Sequence, residues 1–156
     1  MKYLKLLLIF FSILLLNSCG YKKLNSEKIN DFKIDKLEIN GERKLAYKLK
    51  NNIEIYSSKT STSLYNLKIN LISTKKTKIK NTSGKTTRYS NNLQAETLIT
   101  KSNTQIEYKK IFKSTNDYDV GQSHSDTLNN EKKADENNIN YISGEIINYL
   151  KIFNIQ

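Results

Sequence analysis

The segment "STSLYNLKINLISTKKTKIK", residues 61–80, decides the fold expected for this chain. Apolar side chains occupy every second position in its first half, at Tyr65, Leu67, Ile69 and Leu71. Polar residues fill the positions between them. Because successive side chains of a strand point to opposite faces, the pattern predicts a strand with one buried face and one polar face.

Two later segments show the same alternation. They are "RYSNNLQAETLIT", residues 88–100, and "QIEYKKIFKS", residues 105–114, with the polar "KSNT" as a turn between them. Strands that follow one another through short polar turns pair with their chain neighbours in opposite directions. The sequence therefore predicts a three-stranded antiparallel meander.

A further strand and a helix precede the meander. "FKIDKLEIN", residues 32–40, alternates with one slip of phase, which predicts a strand with a bulge. After Gly41, residues 42–53 place Leu45, Leu49 and Ile53 four residues apart, which predicts a short helix with one apolar stripe. A strand that is followed by a crossover helix lies parallel to the strand it joins, so we expect a mixed sheet.

The chain ends in a second amphipathic helix. The polar segment "TNDYDVGQSHSD", residues 115–126, is typical of a loop, and Ser125 or Asp126 can cap the helix that follows. The apolar residues of that helix recur at steps of three and four, at Ile139, Ile142, Ile146, Tyr149, Leu150 and Phe153. The predicted order is β-α-β-β-β-α in one domain, residues 32–156. Two helices on one face of a four-stranded mixed sheet make an α+β two-layer sandwich.

The N-terminal segment "MKYLKLLLIFFSILLL", residues 1–16, is typical of an export signal. Lys2 and Lys5 precede an apolar run of eleven residues, 6–16, in which only Ser12 is polar. A membrane-spanning helix needs about 20 apolar residues, so this run is short for a span. The pattern predicts a signal peptide over residues 1–18, with an uncleaved N-terminal anchor as the alternative.

Cys19 is the single cysteine of the chain and closes this segment. The sequence Leu16-Asn17-Ser18-Cys19 resembles the lipobox of bacterial lipoproteins, in which the cysteine is acylated and becomes the new N-terminus. We expect a covalent lipid on Cys19 and no other cofactor, with residues 19–31 as a lipidated tether. Gly20 is not the aspartate that retains lipoproteins in the inner membrane, so the resemblance implies the periplasmic side of the outer membrane.

The chain is strongly basic. Its formal charge is +11, and residues 19–156 keep 24 basic and 15 acidic residues, a charge of +9. Such a charge is typical of proteins that bind nucleic acid, an anionic membrane or an acidic ligand. Lysine outnumbers arginine 24 to 2, which AT-rich codons alone would produce. The export signal argues against nucleic acid.

Six of these cations cluster around the turn sequence "NTSG", residues 81–84, and we call them the basic tip: Lys75, Lys76, Lys78, Lys80, Lys85 and Arg88. In one interpretation the tip is a solvated hairpin end whose lysines keep the sheet edge from pairing. In the other it binds phosphates or carboxylates, with Arg88 as a bidentate donor and the lysines as point charges.

The sequence contains no pattern that indicates catalysis. His124 is the single histidine and lies in a polar loop, which disfavours both a catalytic triad and a zinc site. An EF-hand loop beginning at Asp117 would need an acid at its twelfth position, where Leu128 stands. No glycine-rich phosphate loop is present. We therefore expect a protein that is not an enzyme and holds no metal.

Four segments in fixed order resemble the LptE family of lipopolysaccharide-assembly lipoproteins. They are "CGYKKL" (19–24), "YSNNLQAETLIT" (89–100), "IFKSTNDYD" (111–119) and "NNEKKADEN" with "EIINYL" (129–137 and 145–150). The resemblance covers nearly the whole chain, and the family shares the β-α-β-β-β-α order.

The resemblance implies a binding role in the lipopolysaccharide translocon. Proteins of this family plug a large outer-membrane barrel of the LptD type, assist its assembly and contact lipopolysaccharide on its way to the outer leaflet. The basic tip would then meet lipid A phosphates. Two alternatives remain open: a generic periplasm-facing outer-membrane lipoprotein that acts as an interaction module, and a small lipid-anchored hydrolase.

Overall fold

The computed structural model describes residues 32–104 and 106–153, without the side chain of Phe153. The predicted signal peptide, Cys19 and the tether lie outside the described residues. The elements are β1 (Lys33–Asn40), α1 (Arg43–Glu54), β2 (Leu64–Lys80), β3 (Thr86–Lys101), β4 (Ile106–Asp119) and α2 (His124–Phe153). The predicted β-α-β-β-β-α order is confirmed.

The four strands form one mixed sheet in the order β1-β2-β3-β4. β1 runs parallel to β2, while β2 with β3 and β3 with β4 are antiparallel. The phase slip in the first strand is a register shift between Ile34 and Lys36. Alternation and its interruption were therefore sufficient to predict both the strand and its irregularity.

The core lies between one face of the sheet and the two helices. β2 contributes Tyr65, Leu67 and Ile69, each at most 2% exposed. The apolar stripes predicted for the helices are buried against them, at Leu45, Leu49, Ile53, Ile139, Ile142, Ile146 and Leu150. The two-layer α+β architecture is confirmed, and both described helices, α1 and α2, lie on the same face of the sheet.

Gly41 turns the chain away from the sheet where β1 ends. Its φ of +128° is a conformation that side chains disfavour, and a Cβ added there would lie 2.6 Å from the carbonyl oxygen of Leu71. β1 therefore pairs with β2 only as far as Asn70. Among the described residues, the part of β2 beyond Asn70 is an edge strand.

The segment "TNDYD", residues 115–119, is strand rather than the predicted loop. β4 continues to Asp119 because these residues pair with Arg88–Asn92 of β3. The segment carries no apolar run, so pairing with a neighbouring strand outweighs its local turn preference.

The cap of α2 is Ser123, and the expectation of Ser125 or Asp126 as the cap is wrong. The hydroxyl of Ser123 accepts a hydrogen bond from the backbone N–H of Asp126 at 3.0 Å. The carboxylate of Asp126 accepts in return from the backbone N–H of Ser123 at 3.1 Å. This reciprocal pair is a capping box, and it begins the helix at His124.

Candidate functional site

The basic tip forms the outer end of the hairpin made by β2 and β3. A tight turn closes the hairpin, in which the N–H of Gly84 donates to the carbonyl of Asn81 at 3.0 Å. The side-chain Oδ1 of Asn81 accepts from the backbone N–H groups of Ser83 and Lys85 at 3.2 and 2.9 Å. Gly84 has φ +79°, which glycine adopts without strain. The tip is therefore a hydrogen-bonded turn on two paired strands.

The six tip residues are divided between the two faces of the sheet. Four of them lie within β2 rather than in a loop, so alternate side chains point in opposite directions. Lys75 contacts Glu131 of α2 on the helix face. Lys78 contacts Asp117, and Arg88 lies opposite Asp119, on the open face. The predicted residues share one end of the molecule but do not form a single cluster.

Lys75 is anchored between β2 and α2. Its Nζ lies 2.9 Å from Oε1 of Glu131, 4.6 Å from the ring centroid of Tyr89 and 5.2 Å from that of Tyr118. Burial, the largest single influence, lowers the pKa of Lys75, but interactions with Tyr118 and Glu131 outweigh it and leave this pKa above its ordinary value. Lys75 therefore contributes to packing at the tip.

Two further cations of the tip are neutralised by carboxylates of β4. Nε and a terminal nitrogen of Arg88 donate to the two oxygens of Asp119 at 2.6 and 3.1 Å, a bidentate pair. This hydrogen bonding and the charge of Arg88 lower the pKa of Asp119. Lys78 pairs with Asp117 and lowers the pKa of that carboxyl, first through the hydrogen bond.

Lys76, Lys80 and Lys85 are the tip cations that have no ion pair with any described residue. All three are exposed. The charge available to a ligand at this end is therefore close to +3 rather than +6. Compact, mobile ammonium groups of this kind attract phosphates as point charges rather than as a rigid fork.

A polar seam between α2 and the outer half of the sheet was not predicted. Asn138, 1% exposed, donates to the carbonyl of Asn91 at 3.1 Å and accepts from the side chain of Asn116 at 2.8 Å. Asn91 in turn donates to Asp135 at 2.5 Å. The polar first half of the helix was the available signal, because a helix that covers strands with polar side chains must satisfy their hydrogen bonds.

The other chemical groups considered from the sequence do not assemble into a site in the described part of the chain. His124 is exposed at the first turn of α2. Residues 32–104 and 106–153 contain no group of three or more potential metal ligands. Neither described helix is long and apolar enough to cross a membrane.

Solved structures of bacterial lipoproteins share this architecture. Rare lipoprotein B from Shewanella oneidensis superposes with a TM-score of 0.58 at 10% identity, over 79% of this chain and 96% of that protein. The chain has the fold of rare lipoprotein B, an LptE-family protein. No family model and no curated protein matches the sequence.

Two more solved structures of lipoproteins share the fold of this chain. A candidate lipoprotein from Caulobacter crescentus gives a TM-score of 0.56 at 10% identity, over 82% of this chain and 93% of that protein. An uncharacterized lipoprotein B from Nitrosomonas europaea gives 0.55 at 11% identity, over 79% and 84%. The likeness covers 84% or more of the length of each neighbour.

Proposed function

We propose that this protein is an outer-membrane lipoprotein of the lipopolysaccharide translocon, anchored on the periplasmic side by a lipid on Cys19. It plugs a barrel of the LptD type, assists its assembly and contacts lipopolysaccharide during insertion in the outer leaflet. It works by binding and not as an enzyme.

The fold shared with rare lipoprotein B is the observation that carries the proposal. The match spans 96% of that protein. The likeness therefore extends over the whole domain and is not limited to a supersecondary unit that many folds share. The sequence resemblance to the LptE family, found in separate segments, agrees with the same fold.

The charge of the hairpin supports contact with lipopolysaccharide. Lys76, Lys80 and Lys85 are exposed at an end of the sheet that extends past the last residue paired with β1. Phosphate groups attract such cations, and charge-assisted hydrogen bonds are stronger than neutral ones. A hairpin can carry this charge outward while the core stays packed.

Co-purification with a defined barrel tests the proposal. The full chain is isolated in detergent from cells that produce an LptD-type barrel, and the barrel is measured by mass spectrometry. We expect it in near-stoichiometric amount, and we expect depletion of this protein to reduce correctly assembled barrel. Normal barrel assembly after full depletion would instead favour the generic interaction module.

Labelling with a fatty-acid analogue tests the anchor separately. We expect the wild-type chain to carry the label in the outer-membrane fraction and Cys19→Ala to remain an unlabelled precursor. A labelled, mature Cys19→Ala protein would contradict lipid attachment at this residue.

A further inference from the structure

The two halves of α2 are buried to different extents. In residues 124–137, all of which the structure describes, Ala134 is the one fully buried side chain. The second half of the helix buries five apolar side chains, at Ile139, Ile142, Ile146, Ile147 and Leu150. Burial of apolar area is the dominant favourable contribution to folding, so the second half is held to the core more firmly than the first.

The first half of α2 contacts the sheet through polar groups. The carboxylate of Glu131 pairs with Lys75, and the carboxylate of Asp135 accepts a hydrogen bond from Asn91 at 2.5 Å. Such contacts replace bonds to water with bonds inside the protein. Each therefore contributes less to stability than the burial of an isoleucine side chain.

The remaining contacts of this half are polar as well. Glu136 pairs with Lys48 of α1 at 2.6 Å, and the side chain of Asn130 donates to the backbone carbonyl of Asp119 at 3.0 Å. A cleft of about 610 Å³ lies between this half of the helix, the start of α1 and the outer part of β2. Polar side chains form most of its lining, so water can hydrate them when the helix moves away.

Asp135 disfavours the docked position of the helix. Burial is the main reason that the pKa of this carboxyl is raised, and the charges of Glu42 and Glu131 add to the effect. Two lysines of α1 offset it only in part. At neutral pH the docked helix therefore holds a partly buried carboxylate that water would solvate better.

The first half of α2 also has little tendency to remain helical alone. Its sequence "HSDTLNNEKKADEN", residues 124–137, contains three asparagines and two aspartates, which favour helix less than most residues do. A helix of about this length is marginal in water even for better sequences. We therefore expect this segment to unwind when it leaves the sheet.

We infer that residues 124–137 act as a lid, which undocks from the sheet and unwinds while the core stays folded. The boundary is Asn138, where the polar contacts end and the apolar stripe of α2 begins. The second half of the helix, α1 and the four strands keep their packing in the open state. The inference does not rest on the proposed function.

Opening the lid changes the surface that the outer end of the sheet presents. The lid covers the side that carries the stacked rings of Tyr89 and Tyr118, of which Tyr118 is 5% exposed. Opening also removes Glu131 from Lys75, so the charge of Lys75 joins that of the exposed tip lysines. An anion that binds Lys75 competes with Glu131 and therefore favours the open state.

Thiol labelling of two matched variants tests the inference. Ala134→Cys places a thiol on the buried side of the lid, Ser143→Cys places one on the second half of α2, and both positions are 4% exposed. The full chain in detergent is treated with a maleimide, and the wild-type chain in parallel gives the contribution of Cys19. Relative to the same chains unfolded in urea, the Ala134→Cys variant should react at least about tenfold faster than the Ser143→Cys variant.

Two further substitutions distinguish opening of the lid from unfolding of the whole chain. Ile146→Val removes a methyl group from the core, which stays folded in the open state. It should speed labelling of the Ser143→Cys variant about fivefold and leave the Ala134→Cys variant unchanged. Lys75→Gln removes contacts made only with the lid closed, so it should speed labelling of the Ala134→Cys variant about fivefold, whereas its control Lys76→Gln should not.

Amide hydrogen exchange of the unaltered chain gives a measurement that no substitution can disturb. The backbone amides of residues 131–137 should exchange at least about tenfold faster than those of residues 142–148, although both segments lie inside α2. The inference is overturned if the two segments exchange at the same rate, if the two thiols react alike, or if Ile146→Val speeds labelling of both variants equally.

Discussion

The ammonium group of Lys75 lies 2.9 Å from the carboxylate of Glu131, and this ion pair joins the outer half of β2 to α2. The same ammonium lies near the rings of Tyr89 and Tyr118, which stack at 5.6 Å between centroids. One tip cation is therefore part of the packing of the hairpin against the helix, whereas its neighbour Lys76 lies on the opposite face. The charge of Lys75 is therefore used within the fold, whereas the charge of Lys76 is available to a ligand.

Replacing Lys75 should destabilise the fold measurably. Lys75→Gln removes a partly exposed ion pair and two cation–π contacts, and we expect the free energy of unfolding to fall by about 1 kcal/mol. Urea denaturation followed by circular dichroism measures it. The matched control is Lys76→Gln, which should change stability by less than about 0.5 kcal/mol. Equal effects of the two variants would contradict a structural role for Lys75.

Truncating Asn138 should be more costly than either lysine variant. Asn138→Ala leaves the carbonyl of Asn91 and the amide of Asn116 without these bonds in a buried seam, and we expect a loss of about 2 kcal/mol or more. Asn137→Ala, one residue away and exposed, serves as the control and should be close to neutral. The urea midpoints of the two variants measure both effects, and the midpoint of Asn138→Ala should be the lower one. A neutral Asn138→Ala would mean that water replaces the seam's hydrogen bonds.

The inner half of the fold, which contains the core, could be predicted from the sequence because its buried side chains recur at regular intervals along the chain. Alternation from Tyr65 to Leu71 and the stripe at Leu45, Leu49 and Ile53 follow directly from which side chains reach the core. The outer half carries no such period. Residues 73–80 and 115–119 are strands because a paired neighbour lies beside them, and that information is not local.

The candidate site was predictable as a set of cations but not as an arrangement. Nothing in the segment 75–88 shows that Lys75 pairs with Glu131, 56 residues later, or that Arg88 pairs with Asp119. These contacts depend on the register of three strands and on the position of a helix. The sum of the charges along this segment is therefore larger than the charge that is available to a ligand.

Two carboxyl groups should make the stability of the fold depend on pH in opposite directions. Burial, and then the charges of Glu42 and Glu131, raise the pKa of Asp135, so the folded state holds its proton more tightly than the unfolded state. Stability from this group is present at low pH and is lost as the pH rises through the raised pKa. The Arg88 pair lowers the pKa of Asp119, whose contribution is present above the unfolded value and is lost as the pH falls through the lowered pKa.

The variants Asp135→Asn and Asp119→Asn test this opposition. Asp135→Asn keeps an oxygen that accepts from Asn91 and removes the buried charge, so it should be more stable relative to wild type at pH 7 than at about pH 3. Asp119→Asn should lose stability relative to wild type at pH 7, and this loss should shrink as the pH falls below the ordinary pKa of an aspartate. Urea unfolding across this pH range measures both. If the stability of both variants relative to wild type changed with pH in the same direction, the raised pKa of Asp135 and the lowered pKa of Asp119 would be contradicted.

Neutralising the available tip cations should weaken binding to purified lipopolysaccharide. The triple variant Lys76→Gln, Lys80→Gln and Lys85→Gln removes the tip cations that have no carboxylate partner among the described residues. Each is exposed, so stability should change by only about 0–1 kcal/mol per site. Binding to phosphates through such charges is screened beyond roughly 8 Å at physiological ionic strength, so wild-type affinity should fall as salt is added and the variant's affinity should fall less.

A charge-matched control separates position from net charge. Lys33→Gln, Lys59→Gln and Lys101→Gln remove the same charge at the opposite end of the sheet, where Lys33 pairs with Leu64 and Lys101 with Tyr65. If the tip binds phosphates, the tip triple should lose at least about tenfold in affinity while the control loses little, because each contact at close range is charge-assisted. Equal losses would mean that only the overall charge attracts lipopolysaccharide. Unchanged binding by the tip triple would leave its lysines as protection of the β2 edge against pairing with other strands.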